Sequence, residues 1–198
     1  MNEMGAAGNA VYGRRRIRVP LAVVGVLLVL LAAEAVFARS QPDGVGVAPD
    51  TVIGFGPDQR ASVQVGEDWV LDSASSDVNS RLVLVRGDVE VELSSVTFPA
   101  AASPDAMWEG MDRLLDIERR QGVTARLGDP AEYENAAGVA GMQGDLQIGD
   151  RSGQAYILPD ANGDTAVEAQ VLAPAGTGDR EMADAAALID SIAFEEAS

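Results

Sequence analysis

The chain has 198 residues, 47% of them hydrophobic, with no Cys, no His and a formal net charge of −17. Without Cys there are no disulfides, no thiolate metal sites, no Cys nucleophile and no lipoprotein-type thiol; without His the commonest general base and neutral metal ligand are gone. All 14 basic residues are Arg, which removes Schiff-base chemistry, a Ser–Lys dyad and a phosphate-loop lysine, and with the abundance of Ala, Gly and Val matches a GC-rich bacterial genome.

Charge divides the chain sharply. Residues 1–18 form a basic tail with Arg14, Arg15, Arg16 and Arg18 against Glu3 alone, whereas residues 40–198 hold nine Arg against 29 Asp and Glu. The acidic part repels nucleic acid and anionic head groups within a Debye length of roughly 10 Å. Between the two, residues 19–38 read VPLAVVGVLLVLLAAEAVFA. Twenty residues at about 1.5 Å each span about 30 Å, a hydrocarbon core. Val19, Leu27, Leu28, Leu30, Leu31 and Phe37 supply the apolar surface of this expected transmembrane helix. Pro20 falls in its first turn, and Glu34 lies close enough to the outer end to reach the interface. Arginines on one side place the N-terminus in the cytoplasm and residues 40–198 outside. The competing reading is a cleaved leader, with small residues at Val36-Phe37-Ala38; an apolar run from Val19 to Ala33 is long for one. Either way the acidic part is extracytoplasmic, at the cell membrane.

Residues 39–60, rich in Gly, Pro and Asp without a period, read as a flexible tether, and residues 61–198 as the outer domain. Gly44-Val45-Gly46 and Gly54-Phe55-Gly56 lie between no strand and helix, so no nucleotide loop is expected. Ser62–Val65 and Asp68–Leu71 are short strands around Gly66. Ser80–Arg86 and Val89–Leu93 form a hairpin at Gly87-Asp88, with Val89, Val91 and Leu93 buried and Glu90 and Glu92 facing water. A helix follows: Ser103 caps it, Pro104 opens it, and Trp108, Met111 and Leu115 make its stripe, widened by Met107 and Leu114. Arg119 and Arg120 fill its last turn and Gly122 stops it. Val123–Leu127 returns as a strand, and residues 129–140 fit no pattern. Met142–Ile148 and Gln154–Leu158 are strands joined at residues 150–153. Asn162-Gly163 is a hairpin turn before Thr165–Leu172. A last helix begins near Asp179, with Met182, Ala186, Ile189 and Ile192 on its apolar face.

Hairpin connections imply a mainly antiparallel sheet covered by helices, an α+β layered domain. With Gly66-Glu67-Asp68-Trp69 at its opening and Ile189-Asp190-Ser191-Ile192-Ala193-Phe194 at its close, residues 61–195 resemble the PsbP-like α/β/α sandwich of photosynthetic accessory proteins and small actinobacterial envelope lipoproteins. The resemblance implies a non-enzymatic accessory or binding domain and transfers no site residue, since the lipoprotein cysteine is absent.

No catalytic, cofactor or metal residue emerges. Asp160, Asn162 and Asp164 alternate like the start of a calcium loop, but Thr165 and Val171 stand where that loop requires Gly and Glu, so a turn is the better reading. Trp108 belongs to the core stripe; Trp69, beside Glu67 and Asp68, is the candidate partner surface. The expected function is a membrane-anchored, non-enzymatic envelope module that meets the membrane and another envelope protein or lipid. A carrier of an apolar or lipidic ligand between helix and sheet is the alternative, predicting an apolar cavity there. A carboxylate-dependent hydrolase ranks third, predicting carboxylates that converge in a cleft.

Overall fold

In the computed structural model, residues 44–195 are described. The basic tail, the expected span and its anchor residues, and positions 39–43 lie outside the described residues. Among the described residues no helix is long and apolar enough to cross a membrane.

The strands follow one another as β1 (Val45–Gly46), β2 (Thr51–Phe55), β3 (Ala61–Val65), β4 (Val70–Leu71), β5 (Arg81–Arg86) and β6 (Val89–Thr97). After helix α1 (Pro104–Arg120) come β7 (Ala125–Leu127), β8 (Ala131–Glu134), β9 (Ala140–Ile148), β10 (Arg151–Pro159) and β11 (Thr165–Pro174), then helix α2 (Asp179–Asp190) and β12 (Ala193–Phe194). One antiparallel sheet runs β1-β4-β5-β6-β11-β10-β9-β7, with β8 also on β9; a second runs β12-β3-β2.

Alternation sorts the side chains into two cores. On one face Leu82, Leu84, Val91, Leu93, Val167, Ala169 and Val171 pack with Phe55, Val63 and Val65 of the small sheet and Ala185, Leu188 and Ile189 of α2. On the other, Leu146, Ala155 and Ile157 meet Met107, Trp108, Met111 and Leu115 of α1. As expected, Val89, Val91 and Leu93 are buried while Glu90 and Glu92 are half-exposed. Ser103 accepts the Ala106 N–H at 3.3 Å, and Gly122 (φ 93°) ends α1 in the left-handed conformation.

Five expectations need correction. Residues 51–55 are not tether: β2 pairs with β3 from Thr51↔Val65 to Phe55↔Ala61 and buries Phe55 fully, so the domain begins near residue 44. Its Gly and Asp neighbours masked a β-branched run. The β9–β10 turn is Gly149-Asp150, which lets β10 start at Arg151. Residues 131–134, unpatterned in sequence, are an edge strand. Leu114 is 58% exposed, because α1 meets the sheet along a narrow stripe. In α2 the buried position is Ala185, and Ala186 faces solvent.

A clasp closes the C-terminal end. Buried Asn135 donates to the Ile192 carbonyl (2.7 Å) and accepts the Val139 N–H (2.9 Å), so it satisfies a carbonyl just beyond α2 and shapes its own loop. Tyr133 donates to Asp190 (2.6 Å) beside the tilted ring of Tyr156; burial, then the bond to Asp190, pushes its phenol far above the usual range. Asn135→Ala leaves these buried groups unpaired and should destabilise the domain by about 1–3 kcal/mol, read as a lower urea midpoint at unchanged slope.

Candidate functional site

The two sequence stretches at the ends of the domain meet in space. After β3, Gly66 and Glu67 lead to Asp68, whose left-handed backbone (φ 64°) turns the chain so that Trp69 enters the core. From the other end, α2 delivers Ser191. Its hydroxyl donates to the Leu188 carbonyl (2.7 Å) and accepts the Gln64 N–H (3.0 Å), stitching the end of the helix to β3. Between them lies a cavity of about 290 Å³, walled by Gln64, Glu67, Arg86, Arg180 and Asp184, with Trp69 at its base.

Charge in this cavity is unevenly satisfied. Arg86 on β5 is largely buried and pairs with Asp184 of α2 at 2.6 Å, with Asp68 further off at 3.9 Å. Asp50 accepts from the Gln64 side chain at 3.1 Å. Arg180 and Glu67 make no ion pair among the described residues. The indole Nε1 edge lies 3.9 Å from where a Gly66 Cβ would stand, and Gly66 is itself in the wall, so the polar edge of Trp69 borders the opening. Trp69, the candidate partner surface, is 2% exposed: what it offers a partner is the floor of a groove. Sequence reasoning missed Arg86 and Arg180, which no motif marks; only the pairing of β5 beside β4 and the phase of α2 bring them together.

The acidic turn before β11 is occupied by an arginine. Arg60 contacts Asp160 at 3.0 Å and Asp164 at 3.5 Å and donates to the Thr165 hydroxyl at 3.3 Å, while Asp160 accepts the Thr165 N–H. Asn162-Gly163 makes the expected turn, with Gly163 left-handed (φ 70°). A guanidinium thus sits where a cation would have to.

Other clefts carry ionic walls too. At the start of α1, Asp105, Glu132 and Glu134 line a cleft of about 510 Å³; on the opposite face of the sheet, Arg126, Asp145 and Gln147 line one of about 560 Å³. The α1–sheet layer itself is filled: Met107, Trp108, Met111 and Leu115 are at most 5% exposed, and a Cβ at Gly144 would come within 2.8 Å of the Trp108 ring. Among the described carboxyls Glu168 on β11 is the one whose pKa burial raises, and it stands in none of these clefts.

These layers, helix against sheet against helix and small sheet, define the PsbP-like fold. Among solved structures, the cyanobacterial PsbP (CyanoP) of Synechocystis superposes with a TM-score of 0.51 at 12% identity, over 76% of this chain and 96% of its own. A weaker likeness, TM-score 0.45 at 11% identity over 69% of this chain and 91% of the other, is to the Saccharomyces cerevisiae Ran-binding protein Mog1p. Identities this low make the likeness one of fold. No protein-family model and no curated protein sequence matches the chain.

Two variants follow. Trp69→Ala removes a buried indole and should cost about 3–5 kcal/mol, whereas Arg180→Ala, at an exposed position, should leave the urea midpoint unchanged. Glu168 is neutral in both states below its ordinary value of 4.5. Above it the native state holds its proton longer, so stability falls as pH rises through the raised value. In dilute solution Glu168→Gln should therefore be the more stable form near about pH 7 and match the parent below about pH 4, measured by urea melts across that range.

Proposed function

We propose that this chain is a single-pass protein of a bacterial cell envelope whose acidic PsbP-like domain stands outside the cytoplasmic membrane. There it binds or assists another envelope component without chemistry of its own. The observation that carries the reading is the cavity over Trp69, where both ends of the domain converge and where, among the described residues, Arg180 and Glu67 make no ion pair while Arg86 pairs with Asp184. Arginines before an apolar span and a carboxylate-rich domain after it support the orientation. The PsbP-like fold supports the class.

Two features weigh against the other readings. A lipid carrier needs apolar space between helix and sheet, and the α1 layer has none to give. A carboxylate hydrolase needs one raised and one ionised carboxyl in the same cleft, and Glu168 stands apart from Asp105, Glu132 and Glu134.

Photo-crosslinking from Glu67 and Arg180 in intact cells should capture a discrete envelope component, and Arg180→Glu should abolish the adduct while the domain stays folded. Recovery of nothing but the free chain from both positions counts against a binding role. Protease added to spheroplasts should digest residues 44–195; a protected domain overturns the orientation.

A further inference from the structure

Helix α1 covers only part of its face of the large sheet. It packs over β7, β9 and β10, and past β10 the same face of β11 and β6 continues with no helix above it among the described residues. There Glu168 and Gln170 on β11 lie beside Ser94 and Glu92 on β6. Glu92 is held by Arg81 at 3.5 Å, whereas Glu168 makes no ion pair among the described residues. Helices pack about 8–10 Å apart, so the bare strip has room for one more.

The flank of α1 that overlooks this strip is itself unfinished. Arg119 reaches the Ala125 carbonyl of β7 at 3.3 Å, which fixes its side of the helix toward the sheet edge. The opposite flank carries Ala106, Gly110, Leu114 and Ile117, with Leu114 58% and Ile117 50% exposed. Glycine is the poorest helix former after proline, yet a Cβ at Gly110 would meet nothing within 4 Å. Nothing among the described residues demands it; the close approach of another helix would. Further round, Arg113 and Arg120 stand exposed one heptad apart. Arg113 pairs only with Glu109 of its own helix, 3.1 Å away, and Arg120 makes no ion pair among the described residues.

We propose that a second copy of this chain occupies the strip: two α1 helices lie antiparallel side by side, each reaching over the other's bare β6–β11 face. Ridge and hollow are on one helix, two turns apart, as a two-fold interface requires. Gly110 of one copy receives Ile117 of the other, and Leu114 falls near the axis. Arg113 and Arg120 descend on Glu168 and Glu92 of the other copy. The like net charges of two domains are screened beyond about 8 Å at physiological salt, while the contact itself joins unlike ones.

Because the chain has no Cys, a single introduced thiol reports alone. In intact cells expressing the full chain, Leu114→Cys should oxidise to a species of twice the 20.6 kDa chain mass, and Arg126→Cys, exposed on the opposite sheet face, should not. Adding Arg113→Glu and Arg120→Glu should abolish the doubled species, and Glu168→Arg with Glu92→Arg should restore it, circular dichroism confirming that each variant is folded. No doubled species from folded Leu114→Cys, equal yield from Arg126→Cys, persistence after charge reversal, or a disulfide to a different protein would each overturn the second copy as occupant.

Discussion

Strand β11 is paired on both edges, with β6 from Thr165↔Thr97 and with β10 from Arg151↔Pro174, and it serves both faces of the sheet. Val167, Ala169 and Val171 belong to the core under α2 and the small sheet, while Ala166 and Leu172 belong to the core under α1. A one-residue slip of this strand would exchange the two sets and drive Glu168 and Gln170 into the larger core. Every other layer takes its register from that constraint: the hairpin partners on either side, then the two helices, offset toward opposite ends.

That offset sets the character of the molecule. Each helix covers what its narrow apolar stripe can cover, and the remaining sheet surface is polar by alternation. Several of the scarce arginines join elements. Arg60 ties β3 to the turn before β11, Arg86 ties β5 to α2, and Arg151 ties β10 to Glu90 on β6 at 2.9 Å. With nine arginines for 29 acids at residues 40–198, the arginines cannot neutralise most of the carboxylates, which biases the domain against anionic surfaces.

Much of this layering is legible in the sequence because it rests on local signals. The α1 boundaries follow from Ser103, Pro104 and Gly122, and the β5–β6 hairpin from strict alternation after Gly87-Asp88. What could not be read depends on distant partners. Strand β2 becomes a strand only because β3 and the core under Phe55 receive it. Asn135 looks like any loop asparagine until Ile192 arrives 57 residues later. The cavity over Trp69 was half legible: its two bordering motifs stand out, but Arg86 and Arg180 enter through the sheet order and the helix phase, neither of which a periodic pattern encodes.

The small sheet joins the two ends of the domain: β12 pairs with β3, matching Ala193 to Ser62 across 131 residues. A ribosome therefore releases β3 long before the strand that completes it exists, and the loop to be closed spans nearly the whole domain. Until β12 emerges, β3 presents the open edge of Ala61 and Ser62 to anything nearby. Loss of that short C-terminal piece would harm the molecule less by the few contacts removed than by leaving this early strand permanently adhesive.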